Sequence, residues 1–317
     1  PGRARMTGRG AMTEPWYGDV IRPAGVSMAD DLAGAAPLAV ARHLPQDEAT
    51  TVDERYHDDE AGIYESYCRV PRVAAAEGWI LPWIRRRTPV GVTVDLGCGT
   101  GRVAKALAGP PARHVIAVDR SSGMLAVARH QVPSSGVLLL RADARALPLH
   151  DQSVDSVVCS GVLHHMATWP DALREAARIL RPGGRLIVRE PNAAYPAWLF
   201  APVEEAMDRL ARRRPRRTQD GPGAATTAPQ LSPVEQPITL PALVSAAEGA
   251  GFRLAEAGSA MLLGSLGLPD AIPAQQLYFR PANVIDRLAL RHLRPPLGAL
   301  LLAVFTAEAA LSPAPPS

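Results

Sequence analysis

The feature that most constrains this chain is a run of glycines that follows a short apolar strand. Residues 94–96 carry two apolar side chains around an acid, and residues 97–101 then place glycine at three alternate positions. Because glycine has no Cβ, the backbone can turn sharply there and lie against a ligand. A helix-compatible segment follows from 103 to 108. The pattern predicts a strand, a ligand-binding turn and a helix.

The same run argues against one common class of cofactor. The dinucleotide fingerprint G-x-G-x-x-G requires glycine or alanine at its last position, and Arg102 stands there in this chain. A phosphate-binding P-loop is excluded as well, since no lysine follows the glycines.

Short apolar strands alternate with helical segments downstream of the loop. Strands are predicted at 92–96, 114–119, 136–141, 154–159 and 184–190, and helices at 101–109, 122–131 and 169–181. Further on, the pattern predicts a helix over 239–250 and strands over 252–257 and 276–280. This alternation is typical of a parallel sheet with helices on both faces, an α/β fold.

The flanking segments differ in composition from this region. Residues 1–50 are rich in glycine, proline and alanine without periodicity, and they predict a flexible N-terminal extension. Residues 51–280 make the main domain, which begins with helical periodicity and contains an insertion at about 191–238. The insertion predicts a short helix and a flexible loop. An arginine run within it is interpreted as a solvated helix end, with an anionic partner as the alternative.

Residues 281–317 are predicted to form a C-terminal helical and apolar tail. The apolar run from Pro296 to Leu311 contains Glu308 and falls short of the ~20 residues that a membrane span needs. We expect a packed amphipathic helix here. The alternative is a helix that docks on a membrane surface, helped by upstream arginines.

Composition limits the partners and the compartment. The net charge of +3 does not by itself imply a nucleic-acid partner. Three scattered cysteines give neither a disulfide framework nor a metal spacing, so we expect a reducing, cytoplasmic setting and no metal site. No signal peptide is visible near the N-terminus.

Acids and histidines follow the predicted strands in a fixed order. Asp119 ends the second strand, where a carboxylate can accept both hydroxyls of a ribose, or can cap the next helix. Asp143 follows the third strand, where it can accept a hydrogen bond from an adenine amino group. His164 and His165 follow the fourth strand, and Leu180 to Leu186 carry a Leu-Arg-Pro-Gly-Gly turn into the fifth.

In this order the motifs resemble the class I S-adenosylmethionine-dependent methyltransferases, in particular the small-molecule branch called type 11. The resemblance covers residues 90–190 well, and is weaker over 53–89 and 239–280. It implies a Rossmann-like, mostly parallel sheet of seven strands whose last strand is antiparallel, with N-terminal helices and an insertion after the fifth strand. The implied cofactor is S-adenosylmethionine.

The resemblance also implies a set of cofactor-binding residues. The three glycines would let the backbone run close to the methionine part of the cofactor, and Asp95 would lie near the amino group of that part. Asp119 would bind the ribose, and Asp143 would bind the adenine amino group. The full set is Asp95, Gly97, Cys98, Gly99, Gly101, Asp119, Arg120, Met124, Asp143, Ala144 and Ser160, with Tyr56 and Tyr64 closing over the cofactor from an N-terminal helix.

Methyl transfer requires a nucleophile held in line with an activated methyl group, and a general base where the nucleophile is a hydroxyl. His164 and His165 are the candidate bases, although a histidine at such a turn can also serve packing alone. His57, Glu190 and Asn192 are weaker candidates. Glu190 to Asn192 lie at the carboxyl edge of the sheet and are expected to face the substrate.

The sequence therefore predicts an enzyme that methylates a small-molecule acceptor. A lipid-like, prenylated quinone-type acceptor at the membrane surface is one alternative, and a non-catalytic cofactor-binding protein is another. A nicotinamide-dependent enzyme is disfavoured by Arg102 and Asp143. Nucleic-acid methylation is disfavoured because no aromatic-interleaved RNA platform is visible. The sequence leaves the acceptor and the oligomeric state open.

Overall fold

A computed structural model describes residues 16–29, 35–45, 47–109, 113–196, 234–261 and 297–308, together with Val284. The elements, in chain order, are β1 (Val26–Met28), β2 (Leu38–Ala41), α1 (Glu48–Cys68), α2 (Pro71–Arg87), β3 (Gly91–Leu96), α3 (Arg102–Leu107), β4 (Arg113–Asp119), α4 (Ser122–Gln131), β5 (Val137–Arg141), β6 (Val154–Ser160), α5 (Trp169–Ile179), β7 (Leu180–Pro191), α6 (Leu240–Gly249), β8 (Phe252–Ala260) and β9 (Leu300–Ala307). Short 3₁₀ turns span Pro23–Gly25 and Leu163–His165.

Nine described strands form one sheet in the order β1-β2-β5-β4-β3-β6-β7-β9-β8. Strands β5, β4, β3, β6 and β7 run parallel to one another, and β9 is antiparallel to both β7 and β8. The central strands are largely apolar because each face of the sheet packs on its own hydrophobic cluster.

The strand order reverses at β3, which determines where a ligand can bind. From β3 the chain continues outward to β4 and β5 on one side, and later to β6 and β7 on the other. In open α/β sheets, ligands bind beyond the carboxyl ends of the strands at this switch point. The glycine run lies directly after β3 and therefore at that position.

The predicted strands and helices between 92 and 190 are confirmed, with end shifts of a few residues. The helix predicted over 239–250 and the strand predicted from 252 are confirmed as α6 and β8. The helix predicted near 198–211, the arginine run and the strand predicted at 276–280 lie outside the described residues.

Two structural expectations for the chain ends are wrong. The sheet has nine described strands instead of seven, because residues 26–28 and 38–41 form β1 and β2 on the edge beside β5. The segment predicted as a C-terminal helix contains β9, which lies between β7 and β8.

The alternation of burial along β9 explains the second error. Leu301, Ala303 and Phe305 pack on one hydrophobic cluster, while Leu302 and Val304 pack on the other. A strand that is buried on both faces is apolar at every position, so periodicity cannot distinguish it from a buried helix. The apolar side chains of residues 300–307 fill the core. They are therefore not free to contact a membrane, which was the alternative considered for this tail. Among the described helices, none has the length and apolarity that crossing a membrane would require.

Candidate active site

The glycine loop shows two different uses of glycine. All three glycines have positive φ, +70° at Gly97, +51° at Gly99 and +85° at Gly101. A Cβ at Gly97 would lie 2.1 Å from Val162 Cγ2, and one at Gly101 would lie 2.6 Å from Val132 Cγ1. A Cβ at Gly99 would meet no atom within 4 Å. Gly97 and Gly101 therefore allow packing within the protein, whereas Gly99 borders open space.

Asp95 lies in β3 directly beneath this loop and is fully buried. Neither of its carboxylate oxygens accepts a hydrogen bond of good geometry from the described residues. Burial raises the pKa of Asp95 to about 7, although the nearby amide of Ala104 partly opposes the shift. An unpartnered buried carboxylate is costly, and a cationic ligand nearby would offset that cost.

Asp119, at the end of β4, fixes the loop. Its Oδ2 accepts a hydrogen bond from the Gly99 amide at 2.7 Å, and its Oδ1 accepts one from the Ser121 amide at 2.9 Å. Burial raises the pKa of Asp119, and these two amides oppose the shift. The N-cap of α4 is Ser121, so the alternative in which Asp119 caps that helix is not what the geometry shows.

Asp143 belongs to an ion-pair network with two arginines. Its Oδ1 accepts hydrogen bonds from the backbone amide and from Nε of Arg145. Its Oδ2 accepts hydrogen bonds from Nη2 of Arg145 and, at 3.0 Å, from Nη1 of Arg120. Burial raises the pKa of Asp143, but the hydrogen bonds from Arg145 outweigh it, so the pKa lies below its ordinary value. Since these donors use the acceptor sites of the carboxylate, an adenine amino group would have to displace one. The adenine role stays a prediction.

Helix α1 lies against this edge of the sheet through its acids. Asp58 Oδ1 accepts hydrogen bonds from the Gly123 amide and the Ser121 hydroxyl, at 2.7 and 2.6 Å. Glu65 Oε1 accepts one from the Thr100 hydroxyl at 2.6 Å. These contacts join α1 to the glycine loop and to the start of α4. The helix thus forms a wall beside the glycine loop.

Between α1 and the carboxyl edge lies a cavity of about 400 Å³. Most predicted site residues line it: Tyr56, His57, Tyr64, Gly97, Cys98, Gly99, Asp119, Arg120, Met124, Asp143, Ala144, Ser160, His164 and His165. Asp95, Gly101, Glu190 and Asn192 do not line it. Asn192 instead donates from Nδ2 to the Gly298 carbonyl at 2.8 Å, which joins the end of β7 to the start of β9.

His164 is held by a buried acid. Its Nδ1 lies 2.7 Å from Oε2 of Glu190. The other carboxylate oxygen of Glu190, Oε1, accepts hydrogen bonds from the backbone amides of Val162 and Leu163 at 3.0 Å each. Burial raises the pKa of Glu190, but the hydrogen bond with His164 outweighs it, so the pKa lies below its ordinary value. Because an ionised carboxylate can only accept, Nδ1 of His164 donates to Glu190, and Nε2 is the ring nitrogen left for contacts elsewhere.

The charged lining residues that the sequence did not single out include Asp53, Arg145 and Arg189. Arg189 donates from Nη1 to the Ser160 hydroxyl at 3.2 Å, and its Nε is buried with no hydrogen-bond partner among the described residues. It also has no carboxylate at ion-pair distance within that part of the chain. The spacing of Asp53 and His57, four residues apart on a helix, was the signal available for Asp53.

Comparison with known proteins assigns this region. The family model described as a methyltransferase domain, type 11, matches residues 94–188. Residues 94–188 therefore form a methyltransferase domain. A solved structure of an S-adenosylmethionine-dependent methyltransferase from Thermotoga maritima has the same fold, with a TM-score of 0.52 and 21% identity over 81% of this chain and 100% of that chain.

Curated relatives match the methyltransferase domain over part of their length. An uncharacterised 37.1 kDa protein in transposon TN4556 of Streptomyces fradiae is 41% identical over 104 residues, which cover 31% of this chain and 30% of the relative. The demethylmenaquinone methyltransferase of Clavibacter sepedonicus is 35% identical over 136 residues, 42% of this chain and 55% of the relative. The chain thus spans about half or less of these curated relatives.

The methyltransferase domain implies S-adenosylmethionine as its cofactor, and the residues present fit that group. The cofactor carries a sulfonium, an ammonium and a carboxylate. The buried acid Asp119 lines the cavity, and the buried acid Asp95, which has no hydrogen-bond partner of good geometry among the described residues, lies in β3 just before the glycine loop without lining the cavity. The cavity volume falls in the ordinary range for small-molecule sites, ~300–1,000 Å³. The open space beside Gly99 leaves room for a ligand against the backbone.

Proposed function

We propose that this chain is an S-adenosylmethionine-dependent methyltransferase that transfers a methyl group to a small-molecule acceptor. The observation that carries the proposal is the cavity itself. It joins the glycine loop and Asp119 to the histidines after β6, so cofactor-binding and base candidates share one space.

The predicted cofactor residues take distinct roles in this proposal. Gly99 leaves room for the methionine part, and Asp119, already fixed by the Gly99 and Ser121 amides, presents its remaining lone pairs to the ribose. Asp95 supplies the negative charge for the ammonium group from beneath the loop. When bound, S-adenosylmethionine supplies an activated methyl group that needs no further leaving-group assistance.

The general base is His164, positioned by Glu190. The Glu190 carboxylate holds the proton on Nδ1 of His164, so Nε2 is the basic nitrogen, and His164 lines the cavity. A general base near neutral pH contributes typically ~10²–10⁴-fold to such reactions. His165 lacks an equivalent acid within hydrogen-bond distance of its Nδ1 among the described residues, which favours His164 of the two candidates.

Arg189 suggests the charge of the acceptor. A half-buried guanidinium whose Nε has no hydrogen-bond partner among the described residues is satisfied best by an oxyanion such as a carboxylate or a phenolate. Deprotonation of an acidic hydroxyl by His164 would generate that oxyanion in the cavity. A phenolic or enolic acceptor therefore suits the site better than an amine.

A quinol-type acceptor is the second candidate. The relative from Clavibacter sepedonicus is a demethylmenaquinone methyltransferase. A reduced quinone carries an acidic ring hydroxyl, and the Arg189 side chain would donate a hydrogen bond to the oxygen of that hydroxyl. The burial of β9 removes the C-terminal tail as the reason to favour it, so this alternative depends on the relative and on Arg189.

The test has two steps. Calorimetry with S-adenosylhomocysteine and with NADH should show one-to-one binding of the first and none of the second. Release of S-adenosylhomocysteine from S-adenosylmethionine is then measured with a panel of soluble phenols and with short-chain quinols. Turnover with either panel identifies the acceptor class. Cofactor binding without turnover on any acceptor would favour a non-catalytic role, and absence of cofactor binding would refute the proposal.

A further inference from the structure

Three side chains with metal-ligating atoms meet at one wall of the cavity. Asp53 and His57 project from consecutive turns of α1, and His165 comes from the 3₁₀ turn after β6. Asp53 Oδ1 lies 3.6 Å from His57 Nε2 and 3.5 Å from His165 Nδ1. One ligand atom from each residue lies within 4.8 Å of the other two. The side chains are 16–19% exposed, so the cluster is accessible from the cavity.

These distances are not those of hydrogen bonds. Hydrogen bonds between nitrogen and oxygen are typically ~2.7–3.2 Å long, and Nδ1 of His165 is buried without such a partner among the described residues. A tetrahedral ion with bonds of ~2.0–2.2 Å to nitrogen and oxygen separates its ligand atoms by ~3.3–3.5 Å. The spacing around Asp53 therefore matches a set of ligands around one ion.

A fourth residue completes the arrangement. Glu60 Oε2 lies 3.6 Å from Nδ1 of His57, on the side of the ring opposite the nitrogen that faces Asp53. Metal-bound histidines typically donate their other N–H to a carboxylate, which fixes the ring and strengthens the ligand. Glu60 is in place for that role.

We propose that Asp53, His57 and His165 bind one divalent transition-metal ion of the Zn²⁺ or Co²⁺ class. Two imidazoles and one carboxylate favour such ions over Mg²⁺ or Ca²⁺, which prefer oxygen ligands. Three protein ligands leave at least one position on the ion for an oxygen atom of a molecule in the cavity. The proposal reverses the expectation of no metal and does not rest on methyl transfer.

A second grouping, His164, His165 and Glu235, also places ligand atoms close together. Glu235 is exposed, and Nδ1 of His164 already bonds to Glu190. The Asp53 cluster is therefore the site we assign, and Glu235 provides the matched control.

The test is metal binding by the full chain without a histidine tag, after dialysis against a chelator. Calorimetry and visible absorption with Co²⁺ should show one ion per chain. The Asp53→Asn, His57→Gln and His165→Gln variants should each lose at least 100-fold in affinity, Glu60→Gln about tenfold, and Glu235→Gln nothing. Circular dichroism of the metal-free variants checks their folds.

A second measurement keeps the proposal testable if a variant fails to fold. Co²⁺ should raise the melting temperature of the unaltered chain, because a ligand that binds only the folded state stabilises it, and Mg²⁺ at equal concentration should not. Absence of one-to-one Co²⁺ binding by the unaltered chain would overturn the proposal. Equal loss of binding in Glu235→Gln would overturn it as well, since the ion would then belong to the other group of residues.

Discussion

Replacement of Asp95 by asparagine should stabilise the ligand-free protein and weaken cofactor binding. The side chain is fully buried, and neither oxygen has a hydrogen-bond partner of good geometry among the described residues. Burial raises its pKa from an ordinary 3.8 to about 7. This difference in pKa corresponds to about 4 kcal/mol, which is the upper limit of the destabilisation from the ionised carboxylate.

The pH dependence follows from the sign of the shift. Because the folded state holds the proton more tightly than the unfolded state, Asp95 lowers stability progressively as pH rises from about 4 to about 7. The variant lacks this loss. Since asparagine is itself polar and would also lack partners, we expect a net gain of about 1–3 kcal/mol at pH 8. The gain should shrink towards pH 5.

Thermal unfolding followed by circular dichroism between pH 5 and pH 8 measures this effect. For a chain of this length, a gain of that size corresponds to a rise of about 2–5 °C in melting temperature. Calorimetry with S-adenosylhomocysteine should show at least a tenfold loss of affinity, because the ammonium group loses its counter-charge. Asp119→Asn is the matched control. Asp119 accepts two amide hydrogen bonds, so this variant should be destabilised.

The reasoning would be refuted if Asp95→Asn lowered the melting temperature at pH 8, or if its gain were the same at pH 5 and pH 8. Either result would mean that the Asp95 carboxylate is satisfied in the folded protein. An unchanged affinity for S-adenosylhomocysteine together with the expected stability gain would separate the two roles and remove Asp95 from the cofactor site.

Two further predictions concern the loop and the base. Gly97→Ala should cost about 2–4 kcal/mol in urea unfolding, because its Cβ would overlap Val162 in a left-handed backbone. Gly99→Ala should cost only about 1 kcal/mol but should lose at least tenfold in S-adenosylhomocysteine affinity; equal stability losses would contradict this division. Glu190→Gln keeps an acceptor for the amides but presents an N–H to His164 Nδ1, which moves the proton of the imidazole to Nε2. The value of kcat should fall about 10²-fold or more with the cofactor affinity unchanged, and an unchanged pH–rate profile would exclude His164 as the base.

The central part of the fold was predictable because its signals are local. The strand before the glycine run and the acid at the end of β4 are each specified by a few neighbouring residues, and parallel strands place their carboxyl ends at one edge. The cavity therefore contains most of the residues that the sequence indicated, from Gly97 to His165. The individual roles within it depend on hydrogen bonds between distant residues, such as that between His164 and Glu190.

What the sequence by itself determined is the order of strands and helices around the glycine loop, since hydrophobic periodicity and turn residues act over short distances. The tertiary structure alone decided that residues 300–307 form a strand inside the sheet, because a segment buried on both faces has no periodicity that indicates its structure. It alone also decided which partners satisfy each charge. Asp143 is paired with two arginines, and Asp95 has no hydrogen-bond partner of good geometry in the described chain. Asp53 lies beside His165 because α1 packs over the edge of the sheet, which brings together residues that are far apart in sequence.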